Sequence, residues 1–138
     1  MRTLVIDTNV VLDLLVFRDP AAAPLHEGLA QGRLRWLATA AMRDELARVL
    51  GYPAVARRLE AAGLMPRQVL DDFDGRSNLV DAPARCGVEC SDPDDQCFID
   101  LAVHHGCALL SKDAAILSLK SRLAALQVSA GAVLADGD

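Results

Sequence analysis

Four acids, Asp7, Glu45, Asp95 and Asp113, occupy positions in this chain from which carboxylates could do chemistry together. Asp7 ends an apolar run in "LVIDTNV" (4–10), with Thr8 and Asn9 behind it before apolar residues resume. Taken alone, Asp7 can cap the helix that starts there, although Thr8 and Asn9 can serve the same backbone donors. Glu45 falls three residues after Met42 and four before Val49, so it borders the inward stripe of its helix. A glutamate there either snorkels at the rim or serves a buried site. Asp92, Asp94 and Asp95 crowd one helix start, where Asp92 suits the N-cap, Pro93 the first turn, and acids the helix dipole. One or two acids meet that demand; three in four residues exceed it. Asp95 precedes Phe98, Ile99 and Ala102 by three, four and seven positions, which sets it above the apolar stripe of its helix. Asp92 and Asp94 read as mainly structural. Asp113 also suits an N-cap, for a helix over 114–122.

Each acid thus has an ordinary explanation, and only their joint placement departs from it. If the four converge, carboxylates about 5 Å apart repel by ~3 kcal/mol per pair at an effective dielectric near 20. A cation must then neutralise them. Carboxylates and water are ligands that suit Mg²⁺ or Mn²⁺.

The elements that must position these acids alternate along the chain. Strands are predicted at 2–6, 34–38, 78–81, 107–111 and 126–134, and helices at 9–16, 21–31, 40–50, 54–62, 67–74, 93–105 and 114–122. Thr39 caps the helix over 40–50, and Gly51 and Gly63 close two helices. Residues 82–91 read as a loop and 136–138 as a frayed end. The strands lack the in/out alternation of a one-sided sheet. The expected fold class is therefore α/β: a three-layer α/β/α sandwich on a mostly parallel sheet, built as a single domain over 1–135. In such sheets ligands gather beyond the carboxyl ends of the strands, where Asp7 and Asp113 both fall.

Composition sets the outer bounds. Of 138 residues, 52% are hydrophobic and 4% aromatic, so the core is aliphatic. No apolar run approaches the ~20 residues of a membrane span, and the N-terminus does not read as a signal peptide, which places the protein in the cytoplasm. A net charge of -5 argues against broad electrostatic capture of nucleic acid but not against a nucleic-acid enzyme whose acids hold a metal. The four cysteines, at 86, 90, 97 and 107, lack paired zinc spacing and read as reduced structural thiols, with a minor redox or metal role open for Cys86 and Cys90. Asp13, Asp71, Asp72, Asp74 and Asp100 read as solvated surface acids.

Three stretches carry a family resemblance: "VIDTNVVLDLL" (5–15), "TAAMRDELARVLG" (39–51) and "DPDDQCFIDLAVHHGCALLSKDAAIL" (92–117). They resemble PIN-domain ribonucleases, the fold of VapC-type toxins of toxin–antitoxin pairs. The resemblance implies a metal-dependent endoribonuclease in which Asp7, Glu45, Asp95 and Asp113 are the catalytic and metal-binding acids, with Mg²⁺ or Mn²⁺ as cofactor. It implies supporting roles for Thr8, Asn9 and Ser111, the last standing where Thr is more usual. Asp94 is the alternative to Asp95, which is favoured by its distance to "HHG" and "SKD". Arg43 and Lys112 are candidate phosphate contacts. The implied partners are an RNA substrate, cut to leave a 5′-phosphate, and a small antitoxin that inserts a basic group into the acidic site. A homodimer is also implied, with residues 14–17 and the helices within 54–74 as apolar contact area. A catalytically weak or inactive PIN scaffold, binding protein or RNA, is the alternative. A CheY-like phosphoacceptor fits less well, because the middle of the chain lacks a strand ending in Asp.

Overall fold

The computed structural model describes residues 1–134, so the expected frayed end at 136–138 lies outside the described residues. Five parallel strands form one sheet in the order β3-β2-β1-β4-β5: β1 (Arg2–Ile6), β2 (Leu34–Ala38), β3 (Ser77–Leu79), β4 (Ala108–Leu110) and β5 (Ala130–Gly131). β1 is central, with Leu4 beside Trp36 on one neighbour and Ala108 on the other. Its Leu4, Val5 and Ile6 are buried, as are Leu109 and Leu110 of β4. That continuous burial is why these strands read as apolar runs rather than alternating ones.

The helices are α1 (Thr8–Leu12), α2 (Ala23–Ala30), α3 (Ala40–Leu50), α4 (Pro53–Ala62), α5 (Pro66–Arg76), α6 (Gln96–His105), α7 (Ala114–Leu117) and α8 (Lys120–Ala124). From β1 the chain steps outward to β2 and β3, then crosses back to β4 and β5 on the other side. Right-handed crossovers in opposite directions put α1–α5 on one face and α6–α8 on the other. The same reversal opens a crevice beyond the carboxyl ends of β1 and β4, the place where open α/β sheets bind ligands.

Several expected elements change shape. The helix expected over 9–16 is α1 continued by a π-type turn over Asp13–Phe17, closed by Arg18 in the left-handed region (φ 51°). The helix expected at 93–105 begins as a 3₁₀ turn, Pro93–Asp95, before α6. The helix expected at 114–122 breaks into α7 and α8. Ser118 Oγ donates to the Ala115 carbonyl at 2.9 Å, and Leu119 N bonds Ile116 O three residues back, which tightens the turn and ends the α-helical ladder. The strand expected over 126–134 shrinks to Ala130–Gly131, because Gln127 turns into the left-handed region just before it.

Two acids expected at the surface are buried. Asp100 accepts hydrogen bonds from Gln96 Nε2 (2.9 Å) and Cys86 N (3.2 Å). Gln96 also donates to Val88 O and accepts from Cys90 N, both at 2.8 Å. The pair supplies partners to the backbone of the long loop before Asp92, which has no ladder of its own. Asp13 is the other, and it pairs with Lys112. The apolar contact area expected at 14–17 is also largely spent: Leu14, Leu15 and Val16 are buried in the core, and the Arg58 guanidinium lies over the Phe17 ring at 4.5 Å. Among the described residues no helix is long and apolar enough to cross a membrane.

Candidate functional site

Asp7 leaves β1 in extended backbone (ψ 149°) and its carbonyl, not its carboxylate, opens α1 by accepting from Val10 and Val11 N. The carboxylate is held weakly by the Thr8 and Asn9 amides without a full cap bond to α1. Its main-chain N bonds Leu110 O at 2.8 Å, which ties the end of β1 to the end of β4. Ser111, fully buried after β4, donates from Oγ to Asp7 Oδ2 at 2.6 Å and accepts from Asp113 N at 3.0 Å. One hydroxyl thus fixes two acids. Asp113 does cap α7, through Oδ1 accepting from Ala115 N at 2.9 Å. Asp95 ends the 3₁₀ turn. Asp92 holds the cap there, accepting from Asp94 N at 3.0 Å, so Asp95 is released from that task.

The result is a triad. Asp7, Asp95 and Asp113 each offer an oxygen, and these oxygens lie within 4.8 Å of one another. Asp7 and Asp95 are buried, and Asp95 Oδ2 is a buried oxygen with no hydrogen-bond partner among the described residues. Burial pushes the Asp95 carboxyl up to about 8, helped by its contact with Asp113 and the charges of Asp7, Asp113 and Asp92. Burial likewise raises Asp7, opposed by the Ser111 hydroxyl and by backbone hydrogen bonds from Thr8 and Asn9. An orphaned buried oxygen beside two further carboxylates is a donor set that suits a hard divalent cation, and Mg²⁺ or Mn²⁺ fits it.

Around the triad lies a cleft of about 550 Å³ that also takes in Glu45, Asp94 and Asn9. Glu45 stands apart from the triad. Its Oε1 accepts from Thr8 Oγ1 at 3.0 Å, and burial raises its carboxyl, offset by that bond. Arg43 does not line the cleft; its Nε and Nη2 hold Asp74 at 2.7 and 2.9 Å. Lys112 does not line it either, because Nζ pairs with Asp13 Oδ2 at 2.6 Å. Arg48 and Tyr52 do line it, the first one turn beyond Glu45 on α3 and the second just past the end of that helix. Their spacing of three and seven from Glu45 is readable from the sequence once Glu45 is chosen. Cys97 lines the cleft too. Burial, then the charges of Glu45, Asp7 and Asp95, push its thiol up to about 12, so it is no nucleophile at neutral pH. All four cysteines are free.

A model of the PIN domain matches residues 3–115, which contain all four acids. The chain belongs to the PIN-domain family. Its fold is similar to a chain in the crystal structure of VapBC2 from Rickettsia felis bound to a DNA fragment from their promoter, at a TM-score of 0.63 and 14% identity, over 93% of this chain and 98% of that one. No curated protein matches the sequence. In this PIN domain the triad comes from three places: the end of the first strand, the turn opening α6, and the loop after β4.

Proposed function

We propose that this PIN domain is a divalent-metal-dependent endoribonuclease, and the toxin member of a toxin–antitoxin pair in the cytoplasm. The observation that carries the reading is the approach of the Asp7, Asp95 and Asp113 oxygens to within 4.8 Å, with Asp95 Oδ2 buried and unpartnered. Asp7, Asp95 and Asp113 would hold Mg²⁺ or Mn²⁺, with Glu45 at the rim. A cation bound there supplies Lewis-acid polarisation of a phosphoryl oxygen and a more acidic water.

The chain's own groups do the rest. Ser111 orients Asp7 through the 2.6 Å bond to Oδ2. Thr8 holds Glu45 at the cleft that Asn9 and Asp94 also line. Asp95 is largely shielded from water, which strengthens every charge interaction made at its carboxylate. The acidic cleft is also the chemistry that an antitoxin's basic side chain would recognise, as expected for a partner of a VapBC-like pair. The Rickettsia felis neighbour comes from a VapBC2 structure.

Purified protein with Mn²⁺ is expected to cut RNA, EDTA to abolish the cutting, and Asp7→Asn to reduce it by at least about 100-fold with the fold intact. Undiminished cleavage by Asp7→Asn, or cleavage that survives chelation, would sink the reading. Mn²⁺ binding without any cleavage would leave the chain a binding module.

A further inference from the structure

The cleft wall that faces the triad is built by α3. Among the described residues that line the cleft, Arg48 is the one cation and Tyr52 the one aromatic. Both side chains stand free of other duties. Tyr52 is 56% exposed, and its part in opening α4 is made by its backbone carbonyl, which accepts from Ala56 N at 2.8 Å. Arg48 is exposed and forms no ion pair within 4.0 Å among the described residues; the charge it acts on is Glu45, three residues back. Arg43, the arginine of α3 expected to contact phosphate, is instead held by Asp74.

An exposed ring at the lip of a charged cleft has no packing reason to be aromatic. It offers a flat apolar face to whatever enters. A nucleotide presents two complementary parts, a π-face and a phosphate, and an aromatic beside a cation is how single strands are gripped without base-edge hydrogen bonds. Arg48 lies about 4.5 Å beyond Glu45 along the helix axis, and Tyr52 follows just past the helix end, where its N bonds the Val49 carbonyl.

We infer that Arg48 and Tyr52 hold the nucleotide that flanks the scissile phosphate: Arg48 takes its phosphate and Tyr52 stacks its base. This rests on the ribonuclease reading above. Both are substrate-contact residues that line the cleft without belonging to the triad. They act on binding, so their loss raises KM and leaves kcat near that of the parent. The base must be unstacked to reach Tyr52, so a nucleotide already paired in a duplex cannot use the platform.

The test has two parts. With Mn²⁺ and a single-stranded RNA oligonucleotide, Tyr52→Ala and Arg48→Ala are each expected to raise KM about tenfold with kcat within about twofold, and Tyr52→Phe to behave as the parent. Binding is then read without turnover in the Asp95→Asn background, using RNA carrying 2-aminopurine. Stacking should quench its fluorescence both with Tyr52 in place and with Tyr52→Phe, and not with Tyr52→Ala. Arg48→Ala should lower the slope of log Kd against log salt by about 0.7. A parent enzyme that cuts RNA while both alanine variants keep its KM and the quench overturns the inference alone. A parent that cuts no RNA overturns the ribonuclease reading first, and this inference with it.

Discussion

Ser111 is the residue on which the site's geometry turns. It is fully buried, it donates to Asp7, and it accepts from the backbone of Asp113. Ser111→Ala removes both bonds with little change in volume. The expected result is a 10- to 100-fold weaker Mn²⁺ affinity, of the order seen when a group that orients a metal ligand is lost, checked by calorimetry. Asp95 gives a second prediction, in pH. A carboxyl held above its ordinary value keeps its proton in the folded state where the unfolded chain has released it. Its stabilising share is complete below about 3.8 and is lost as pH rises through about 8. Asp7 and Glu45 are raised as well and act in the same direction. The metal-free protein should therefore lose melting temperature steadily from about pH 4 to pH 8, and Asp95→Asn should flatten that loss. A melting temperature that climbs over the same window would contradict the raised values.

At the scale of elements, two side-chain networks brace segments that carry the acids, and one glycine sets the packing of α2 on the sheet. The π-type turn after α1 buries Asp13, which holds Lys112 between Ser111 and Asp113. Asp13→Asn should cost about 1–2 kcal/mol and loosen that loop, seen as faster amide exchange after β4. Asp100 and Gln96 stitch the long loop to α6 beside Asp95. Asp100→Ala strands those donors and should cost about 1–3 kcal/mol by urea midpoint with an unchanged m value. Gly28 lies inside α2, where glycine lowers helix propensity. A Cβ there would come within 2.6 Å of Leu34 Cγ on β2, so close helix–strand packing explains it. Much of this element scale is legible in the sequence. The buried runs of β1 and β4, Thr39 as the cap of α3 and the strand–helix alternation all derive from local pattern. The burial of Asp13 and Asp100 is not legible there, because a lone acid on an apolar helix looks the same whether its partner is water or a side chain from a distant segment.

For the molecule as a whole, the balance of charge is the property that matters. A chain of net charge -5 concentrates part of its excess at the carboxyl edge of its sheet, where repulsion between the triad's carboxylates opposes folding until a cation binds. Binding to the folded state alone adds ~2.7 kcal/mol at a free metal concentration about 100 times Kd. For a chain of this length that is an expected rise of roughly 10 °C in melting temperature. Mn²⁺ should produce it at about pH 7.5 and EDTA reverse it, with Asp95→Asn showing neither. On the ribonuclease reading, the same neutralisation would let an acidic protein accept a polyanion at this cleft.

The sequence by itself determined the alternating order of strands and helices, though not the shape of every helix or the length of the last strand, and it determined that the sheet would be covered on both faces and that acids would stand at its carboxyl edge. These depend on side-chain periodicity and on the residues just past each strand, both local. Only the tertiary structure decided that Asp7, Asp95 and Asp113 meet while Glu45 sits to one side, hydrogen-bonded to Thr8. It also decided that Arg43 and Lys112 are drawn off by Asp74 and Asp13, leaving Arg48 and Tyr52 at the cleft. Distances between residues far apart in the chain are set by how helices settle on the sheet, and no spacing along a sequence encodes which of two nearby cations finds a partner first.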